Sequence, residues 1–111
     1  MSWLTKSCAP CPPGTAPKTP TEIEAALVDL DGWTLEDGAL QKTFTFKNYY
    51  QTTAFVNAAA WIAHQADHHP DITFGYKTCT IRYATHSIDG ISDNDFICAA
   101  RTNALLNAAS A

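Results

Sequence analysis

Positively charged residues are scarce in this chain of 111 residues. It has seven Lys plus Arg against eleven Asp plus Glu, which gives a formal net charge of -4. No cluster of Lys and Arg occurs anywhere along it. Proteins that bind nucleic acid neutralise its phosphates with clustered basic side chains. We therefore expect no nucleic-acid partner.

Long hydrophobic runs are also missing. The longest mainly apolar stretch, residues 53–66, is interrupted by Asn57, His64 and Gln65 and is too short to span a bilayer. The first residues include Lys6 but no apolar core of the length that a signal peptide needs. These absences predict a cytoplasmic protein without a membrane partner.

What remains is the composition of a globular domain. Hydrophobic residues make up 46% of the chain and charged residues 16%, and no low-complexity tract occurs. A chain of this length buries one hydrophobic core and has no room for a second, independent one. We predict a single domain over residues 19–111, preceded by a mobile N-terminal arm over residues 1–18.

The arm contains Cys8 and Cys11 in CxxC spacing, and Cys79 and Cys98 complete a set of four cysteines. Redox enzymes use CxxC at the start of a helix, and zinc sites use it together with a second ligand pair. Neither context is present, because prolines make the arm extended and no second CxxC follows. In a chain without an export signal we expect free thiols.

The first helix has a clear start. Thr19, Pro20 and Glu22 supply an N-cap, a proline at the first helical position and the glutamate of a capping box. Apolar residues then recur at helical spacing, and Gly32 stands where a left-handed residue ends many helices. The pattern predicts a helix over residues 20–31.

A hairpin and a second helix follow. Residues 36–38 have turn chemistry and separate two β-prone segments within residues 33–46. Apolar residues at helical spacing next predict a helix over residues 51–67. The helix ends there because Pro70 disfavours the helical conformation at His69.

A second hairpin and a third helix complete the chain. Residues 72–76 and 79–85 are β-rich, and residues 96–109 are rich in alanine and leucine, with Ser92 and Asp95 as the N-terminal cap. The predicted order is α-β-β-α-β-β-α with short connections. This order indicates an α+β fold of two layers, in which a four-stranded antiparallel sheet packs against three helices.

Histidines gather around the end of the second helix. His64, His68 and His69 lie there. His86 directly follows the last β-rich run and shares a face with the even-numbered residues of that run. An imidazole has an unperturbed pKa of about 6.5, so it exchanges protons near neutral pH. The second hairpin can return His86 beside His69, and Asp67 can orient one ring by accepting its N–H. For a single histidine, a solvated position near the helix end is the alternative interpretation.

A zinc site is a further alternative. His64 and His68 are four residues apart, the spacing found on the helix of zinc proteases. That motif has glutamate directly after the first histidine and a helix that continues past the second. Gln65 and Pro70 break both requirements. We expect no metal, although a convergence of His68, His69 and His86 on an ion stays open.

The spacing of these residues resembles the signature of the pterin-4a-carbinolamine dehydratases: His64-x3-His68-His69-Pro70-x5-Tyr76-x9-His86-x8-Asp95. The likeness covers about residues 19–106 and includes Gly32-Trp33, Phe44-Thr45-Phe46 and Gly90-Ile91-Ser92. Two positions depart from the family pattern. Ile72 stands where animal members often have tryptophan, and His64 stands where an acidic residue is common.

The resemblance implies an enzyme. Family members dehydrate 4a-hydroxytetrahydropterin, which an aromatic amino acid hydroxylase leaves behind, to the quinonoid dihydropterin. The reaction needs an acid and a base but no metal or organic cofactor. By matching positions, the catalytic residues are His68, His69 and His86, with His69 and His86 the leading choices for acid and base and His68 able to serve the other face of the ring. Asp95 completes the signature, and its cap pattern predicts that it caps the third helix. The residues expected around the pterin are Asp67, Pro70, Thr85, Ser87 and Ile88.

The resemblance also implies partners. Family members form dimers or tetramers, so we expect a homo-oligomer with a functional link to a hydroxylase such as phenylalanine hydroxylase. Animal members also act as dimerisation cofactors for a homeodomain transcription factor, so a protein-interaction module is one alternative. A pterin-related role in molybdopterin metabolism is another. Retention of all three histidines favours the enzyme, because a pure interaction module has no chemical need for them.

Overall fold

A computed structural model describes residues 2–110 of the chain, and their side chains as far as residue 106. The helices and strands are α1 (Pro20–Leu27), β1 (Thr34–Glu36), β2 (Ala39–Thr45), α2 (Tyr49–Ala66), β3 (Asp71–Phe74), β4 (Thr78–Tyr83) and α3 (Asp93–Ser110). Single 3-10 turns occur at Trp3–Thr5 and His86–Ile88. The predicted order of elements is confirmed. No helix within residues 2–110 is long and apolar enough to cross a membrane.

The four strands form one antiparallel sheet in the order β1-β2-β4-β3. The two central strands pair from Leu40 opposite Tyr83 to Thr45 opposite Thr78. Each hairpin lies on one side of this central pairing and is followed by a helix, so the chain runs as two ββα units after α1. This is the predicted α+β architecture.

Alternation along β4 separates the two faces of the sheet. Cys79, Ile81 and Tyr83 are fully buried, whereas Thr80 and Arg82 are only half-buried on the other face. The buried face meets residues from all three helices, which are Ile23 and Ala26 of α1, Phe55 and Ala59 of α2, and Phe96, Cys98 and Ala99 of α3. One hydrophobic core therefore lies between the sheet and the helical layer.

The predicted capping box at the start of α1 is present. The backbone N–H of Thr19 donates to the Glu22 carboxylate at 2.9 Å, and the backbone N–H of Glu22 donates to the Thr19 hydroxyl at 3.2 Å. These two bonds satisfy backbone donors that an uncapped helix start leaves unpaired. They also hold the pKa of the Glu22 carboxyl below its ordinary value.

The predicted end of α1 is wrong. The helix stops at Leu27 rather than near residue 31, and the backbone N–H groups of Asp29 and Leu30 bond back only three residues in a tighter turn. Leu30 is nearly fully buried, so this turn directs it into the core. Gly32 does adopt a left-handed φ of 82°, but it lies in the loop beyond the helix. A Cβ there would come within 2.7 Å of the Lys42 side chain.

Asn103 of α3 ties the helical layer to the loop that follows α1. Its Oδ1 accepts hydrogen bonds from the Trp33 indole at 3.0 Å and from the Lys42 ammonium at 2.8 Å. Its Nδ2 donates to the backbone oxygen of Asp31 at 3.1 Å, and Lys42 donates to the same oxygen at 2.8 Å. One side chain thus binds three partners that lie 61 to 72 positions earlier in the chain.

The N-terminal arm runs along α3. The Trp3 ring lies 4.9 Å from the Phe96 ring between centroids, and Arg101 donates to the backbone oxygen of Lys6 at 3.0 Å. Asn94 accepts from the backbone N–H of Ala9 at 3.0 Å and donates to its oxygen at 2.7 Å. The arm is therefore extended, with defined contacts. Its mobility in solution stays a prediction.

Candidate functional site

The end of α2 separates two neighbouring histidines. Asp67 takes the left-handed conformation with φ 52°, and its backbone N–H bonds to the carbonyl groups of Ala63 and His64. This reversal closes the helix before Pro70, as the sequence predicts, although α2 begins slightly earlier than expected. As a result, His68 turns inward while His69 is exposed.

His68 is held by a buried carboxylate. Its Nε2 lies 2.5 Å from Asp95 Oδ1, and the His68 and Asp95 side chains are exposed by 11% and 0%. The ring also lies nearly parallel to that of Tyr83, at an interplanar angle of 9°. A carboxylate only accepts hydrogen bonds, so His68 donates from Nε2, and Nδ1 is the acceptor when the ring is neutral.

Asp95 also joins the start of α3 to the segment that follows β4. Its Oδ2 accepts from the Thr85 hydroxyl at 2.7 Å and from the backbone N–H of Ser92 at 2.9 Å. The Thr85 and Ser92 hydroxyl groups lie 2.7 Å apart. The predicted capping of α3 by Asp95 is confirmed, and the helix begins earlier than expected, at Asp93. The bond to His68 is an addition that the local sequence pattern does not indicate.

His69 and His86 line one cavity of about 460 Å³, at the end of the sheet that carries the β1–β2 turn. This volume lies within the usual range for a small-molecule site, roughly 300 to 1,000 Å³. His69 follows α2, whereas His86 begins the 3-10 turn after β4. Two exposed imidazoles from distant parts of the chain therefore reach the same space.

Thr85 connects this cavity to the buried pair. It is itself a lining residue, and its hydroxyl bonds to Asp95, the partner of His68. His68 is not among the lining residues. The same holds for the other residues predicted around the pterin, which are Asp67, Pro70, Ser87 and Ile88. Asp67 lines a smaller, separate cavity, and the binding roles of all four stay predictions.

Charged residues that the sequence analysis did not assign to the site also line the cavity. Arg82 of β4 donates to the side-chain oxygen of Gln41 at 2.5 Å, and Asp71 lies opposite Arg82 in the β3–β4 register. Alternation along β4 places Arg82 on the same face as His86. This alternation is the sequence signal that could have indicated Arg82 as a residue of the site. Lys18, from the end of the arm, also lines the cavity, and no local pattern indicates that placement.

The chemistry available here is proton transfer. The two exposed imidazoles can donate or accept a proton, and the buried Tyr83 hydroxyl stays protonated because burial raises its pKa. That hydroxyl lies 3.1 Å from the Thr102 hydroxyl. Within the part of the chain that the structure describes, no three His, Cys, Asp or Glu side chains are grouped to hold a metal ion.

Known sequences match most of the chain. The family model described as Pterin 4 alpha carbinolamine dehydratase matches residues 16–105. A relative from Nitrosospira multiformis, provisionally named pterin-4-alpha-carbinolamine dehydratase, is 54% identical over 101 residues, or 91% of this chain and 89% of the relative. A relative from Stenotrophomonas maltophilia (strain R551-3) with the same provisional name is 56% identical over 88 residues, or 74% and 76% of the two chains.

Solved structures share the fold. A transcriptional coactivator/pterin dehydratase from Brucella melitensis has a TM-score of 0.77 at 34% identity, covering 80% of this chain and 97% of that one. A pterin dehydratase-like protein identified as a RuBisCO assembly factor in the alpha-carboxysome has a TM-score of 0.55 at 30% identity, covering 66% and 84%. On this agreement of sequence and fold, the chain belongs to the pterin 4 alpha carbinolamine dehydratase family.

Proposed function

We propose that the protein dehydrates 4a-hydroxytetrahydropterin to the quinonoid dihydropterin and water. The observation that carries this proposal is the placement of His69 and His86 on one cavity in a chain of this family. The substrate is the product that an aromatic amino acid hydroxylase leaves after using tetrahydropterin. The protein would therefore recycle the pterin of a hydroxylase such as phenylalanine hydroxylase.

The reaction removes hydroxide from C4a and a proton from N5. A protonated imidazole gives its proton to the leaving hydroxyl, which departs as water, and a neutral imidazole takes the proton from N5. Each such transfer is worth roughly 10² to 10⁴ in rate. His69 and His86 are the candidates for the two roles, because both face the cavity. The reaction moves protons and hydroxide without oxidation or reduction, so it needs no redox cofactor.

His68 has a different place in this scheme. Its Nε2 is engaged by Asp95, and Thr85 joins that carboxylate to the cavity wall. The bond fixes the ring orientation and, in the neutral ring, leaves Nδ1 as the atom that can accept a proton. We infer that His68 serves the reaction from a fixed position behind the cavity wall, which it does not itself line, whereas the exposed His69 and His86 are less constrained.

The charged wall of the cavity suits a pterin ring, whose edge presents both hydrogen-bond donors and acceptors. Asp71 can accept from the ring, and Arg82 can donate to it through the N–H groups that Gln41 and the Asp37 backbone oxygen do not use. Ile72, where animal members often carry tryptophan, is half-buried against the core and does not line this cavity. Recognition of the ring in this cavity therefore depends on the polar side chains that line it.

The decisive experiment follows the ultraviolet decay of enzymatically generated 4a-hydroxytetrahydropterin with and without the full-length protein. The protein should accelerate the decay, before and after treatment with a chelator. His69→Ala and His86→Ala should each lower the rate by about 10² or more. His64→Ala is the matched control, because His64 is exposed on α2, packs against Trp61 and does not line the cavity.

Two results would contradict this assignment. Near-normal turnover in both His69→Ala and His86→Ala would remove the acid-base scheme. Loss of turnover after chelation would instead revive a metal site. Correct folding of each variant is checked by its thermal unfolding temperature, since His69 and His86 are exposed and their truncation should leave that temperature nearly unchanged.

A second candidate function is protein interaction. Two proteins of similar fold are a transcriptional coactivator/pterin dehydratase and a RuBisCO assembly factor. In this chain Tyr49, Phe74 and Tyr76 form a cluster of exposed rings beside β3, which is an edge strand. Exposed strand edges pair readily with another chain. We infer a homo-oligomer, and sedimentation of the wild type against Phe74→Glu tests whether a second copy covers this edge.

A further inference from the structure

The CxxC segment of the arm has no part in the proposed function, yet it places a thiol beside the core. The Sγ atoms of Cys8 and Cys98 lie 3.8 Å apart, although the two residues are 90 positions apart in sequence. Cys98 is fully buried in α3, whereas Cys8 is partly exposed. All four cysteines of the chain are free thiols.

Contacts on both sides of Cys8 keep it near α3. Arg101 donates to the backbone oxygen of Lys6, and Asn94 exchanges two hydrogen bonds with the backbone of Ala9. A disulfide needs an S–S distance of about 2.05 Å. The two sulfurs therefore need to approach by less than the width of one atom.

We propose that Cys8 and Cys98 form a redox modification site, at which a peroxide closes a disulfide between the arm and α3. In the first step the Cys8 thiol reacts with hydrogen peroxide to give a sulfenic acid and water. In the second step the Cys98 sulfur attacks the Cys8 sulfur, and the hydroxyl leaves with the thiol proton as water. Two thiols are oxidised and one peroxide is reduced to two waters.

Exposure determines the order of these steps. Cys8 reaches solvent and meets the oxidant first, whereas burial and the neighbouring Cys8 raise the pKa of Cys98. Cys98 then acts as the resolving thiol at short range. Cys11 is the competitor for that role, since CxxC spacing allows a local disulfide. In the structure, however, Cys11 is oriented towards the Asn94 side chain, whose Nδ2 lies 3.9 Å from its sulfur.

The disulfide would also fix one wall of the cavity, because the arm continues into it. The backbone N–H of Lys18 donates to Ile91 at 2.8 Å, and its ammonium lies 3.0 Å from Asp93. Pro17 packs closely against Gly90, since a Cβ added to Gly90 would lie 2.6 Å from the Cβ of Pro17. Pro17 and Lys18 both line the cavity. The covalent step goes beyond the proposed function and does not depend on dehydratase activity.

The test oxidises the reduced full-length protein with one equivalent of hydrogen peroxide and digests it with trypsin without reductant. Tryptic cleavage yields the peptides 7–18, which contains Cys8 and Cys11, and 83–101, which contains Cys98. The expected product is these two peptides joined, with the mass of two hydrogens lost. An intact 7–18 peptide with an internal disulfide, or no linkage at all, would overturn the proposal.

Variants identify the sulfur that forms the bond. Cys11→Ser should form the joined peptide at a rate within about twofold of the wild type, whereas Cys8→Ser should form it at least about tenfold more slowly. Both changed residues lie in the arm outside the buried core, so both variants should fold. Equal rates in Cys8→Ser and the wild type would overturn the assignment, because Cys11 would then be the partner of Cys98.

A protease measures the effect on the arm. Trypsin cleavage after Lys18 of the native protein should be about tenfold slower in the oxidised than in the reduced form, because cleavage needs local opening. Cys8→Ser, treated in the same way, is the control and should show no difference. Equal cleavage rates for the two wild-type forms would show that the disulfide does not fix the cavity wall.

Discussion

Replacing Asp95 by asparagine should invert the proton position on His68. The substitution keeps the shape of the side chain and replaces one acceptor oxygen by an NH₂ donor. The backbone N–H of Ser92 can only donate, so the remaining oxygen must stay towards Ser92, where Oδ2 lies now. The NH₂ group therefore takes the place of Oδ1 and faces His68 Nε2. His68 must then accept at Nε2 and carry its proton on Nδ1.

The expected cost follows from the bonds that the carboxylate makes. Asp95 accepts three hydrogen bonds, from His68, Thr85 and Ser92, and is fully buried. A bond to a charged acceptor is worth about 1 kcal/mol more than a neutral one, so the loss sums to about 3 kcal/mol. Removing a buried charge offsets part of this loss. We expect Asp95→Asn to lower the free energy of unfolding by about 1 to 3 kcal/mol, or Tm by about 4 to 12 °C.

Two measurements check this prediction. Urea denaturation gives the free energy of unfolding, and nitrogen-15 NMR of the imidazole distinguishes Nε2–H from Nδ1–H. Asp93→Asn is the matched control, because Asp93 lies in the same helical turn but is exposed and forms a surface ion pair with Lys18. Exposed pairs contribute at most about 1 kcal/mol. If His68 kept its Nε2 proton in Asp95→Asn at wild-type stability, the inferred network would be refuted.

Three further predictions concern stability. Asn103→Ala removes the acceptor shared by an indole and a lysine ammonium, so urea denaturation should show a free energy of unfolding lower by about 2 to 4 kcal/mol. The exposed Asn57→Ala is the control and should lose under about 0.5 kcal/mol. Equal losses in the two variants would contradict the stabilising role of the Asn103 hydrogen bonds. Gly32→Ala places a Cβ at a left-handed φ and close to another side chain, so it should lower Tm. Gly14→Ala should lower Tm less, because the φ there is also positive but the space is open. The reverse order of the two Tm values would refute the steric argument. The folded-state pKa of Glu22 lies below its unfolded value, so the stabilisation from its carboxylate is fully present above the unfolded pKa and is lost as pH falls through the folded pKa. In an acid titration of stability, Glu22→Gln should lack this part of the decline. The same loss of stability at low pH in the variant and the wild type would argue against a contribution from Glu22.

The fold could be predicted well because its signals are local. Capping residues, turn residues and periodicity report on neighbours a few positions apart, and they placed each helix and strand. The end of α1 was missed because it depends on tertiary packing. Gly32 has the left-handed conformation that its residue type indicates, but the chain leaves the helix earlier to bury Leu30.

The arrangement of the histidines could be predicted in part, whereas their catalytic roles stay predictions. The juxtaposition of His69 and His86 follows from a helix that ends at a proline and a hairpin that returns the chain. The bond between His68 and Asp95 joins residues 27 positions apart, and its existence depends on the burial of that carboxylate, which no local pattern reports. The last residues of the arm also form a wall of the cavity. The sequence does not predict this placement, because the docking of an extended segment leaves no periodic signal.

The hydroxyl of Thr85 gives the hydrogen bonds at the start of α3 a fixed direction. A hydroxyl has one proton, and Thr85 donates it in the hydrogen bond to Asp95. The Ser92 hydroxyl must therefore donate to the Thr85 oxygen rather than accept from it. His68 and Ser92 therefore both direct hydrogen-bond donors towards the same carboxylate, His68 directly and the Ser92 hydroxyl through Thr85. The two hydroxyl groups are coupled in orientation: if Thr85 turned its proton away from Asp95, the Ser92 hydroxyl would have to rotate as well.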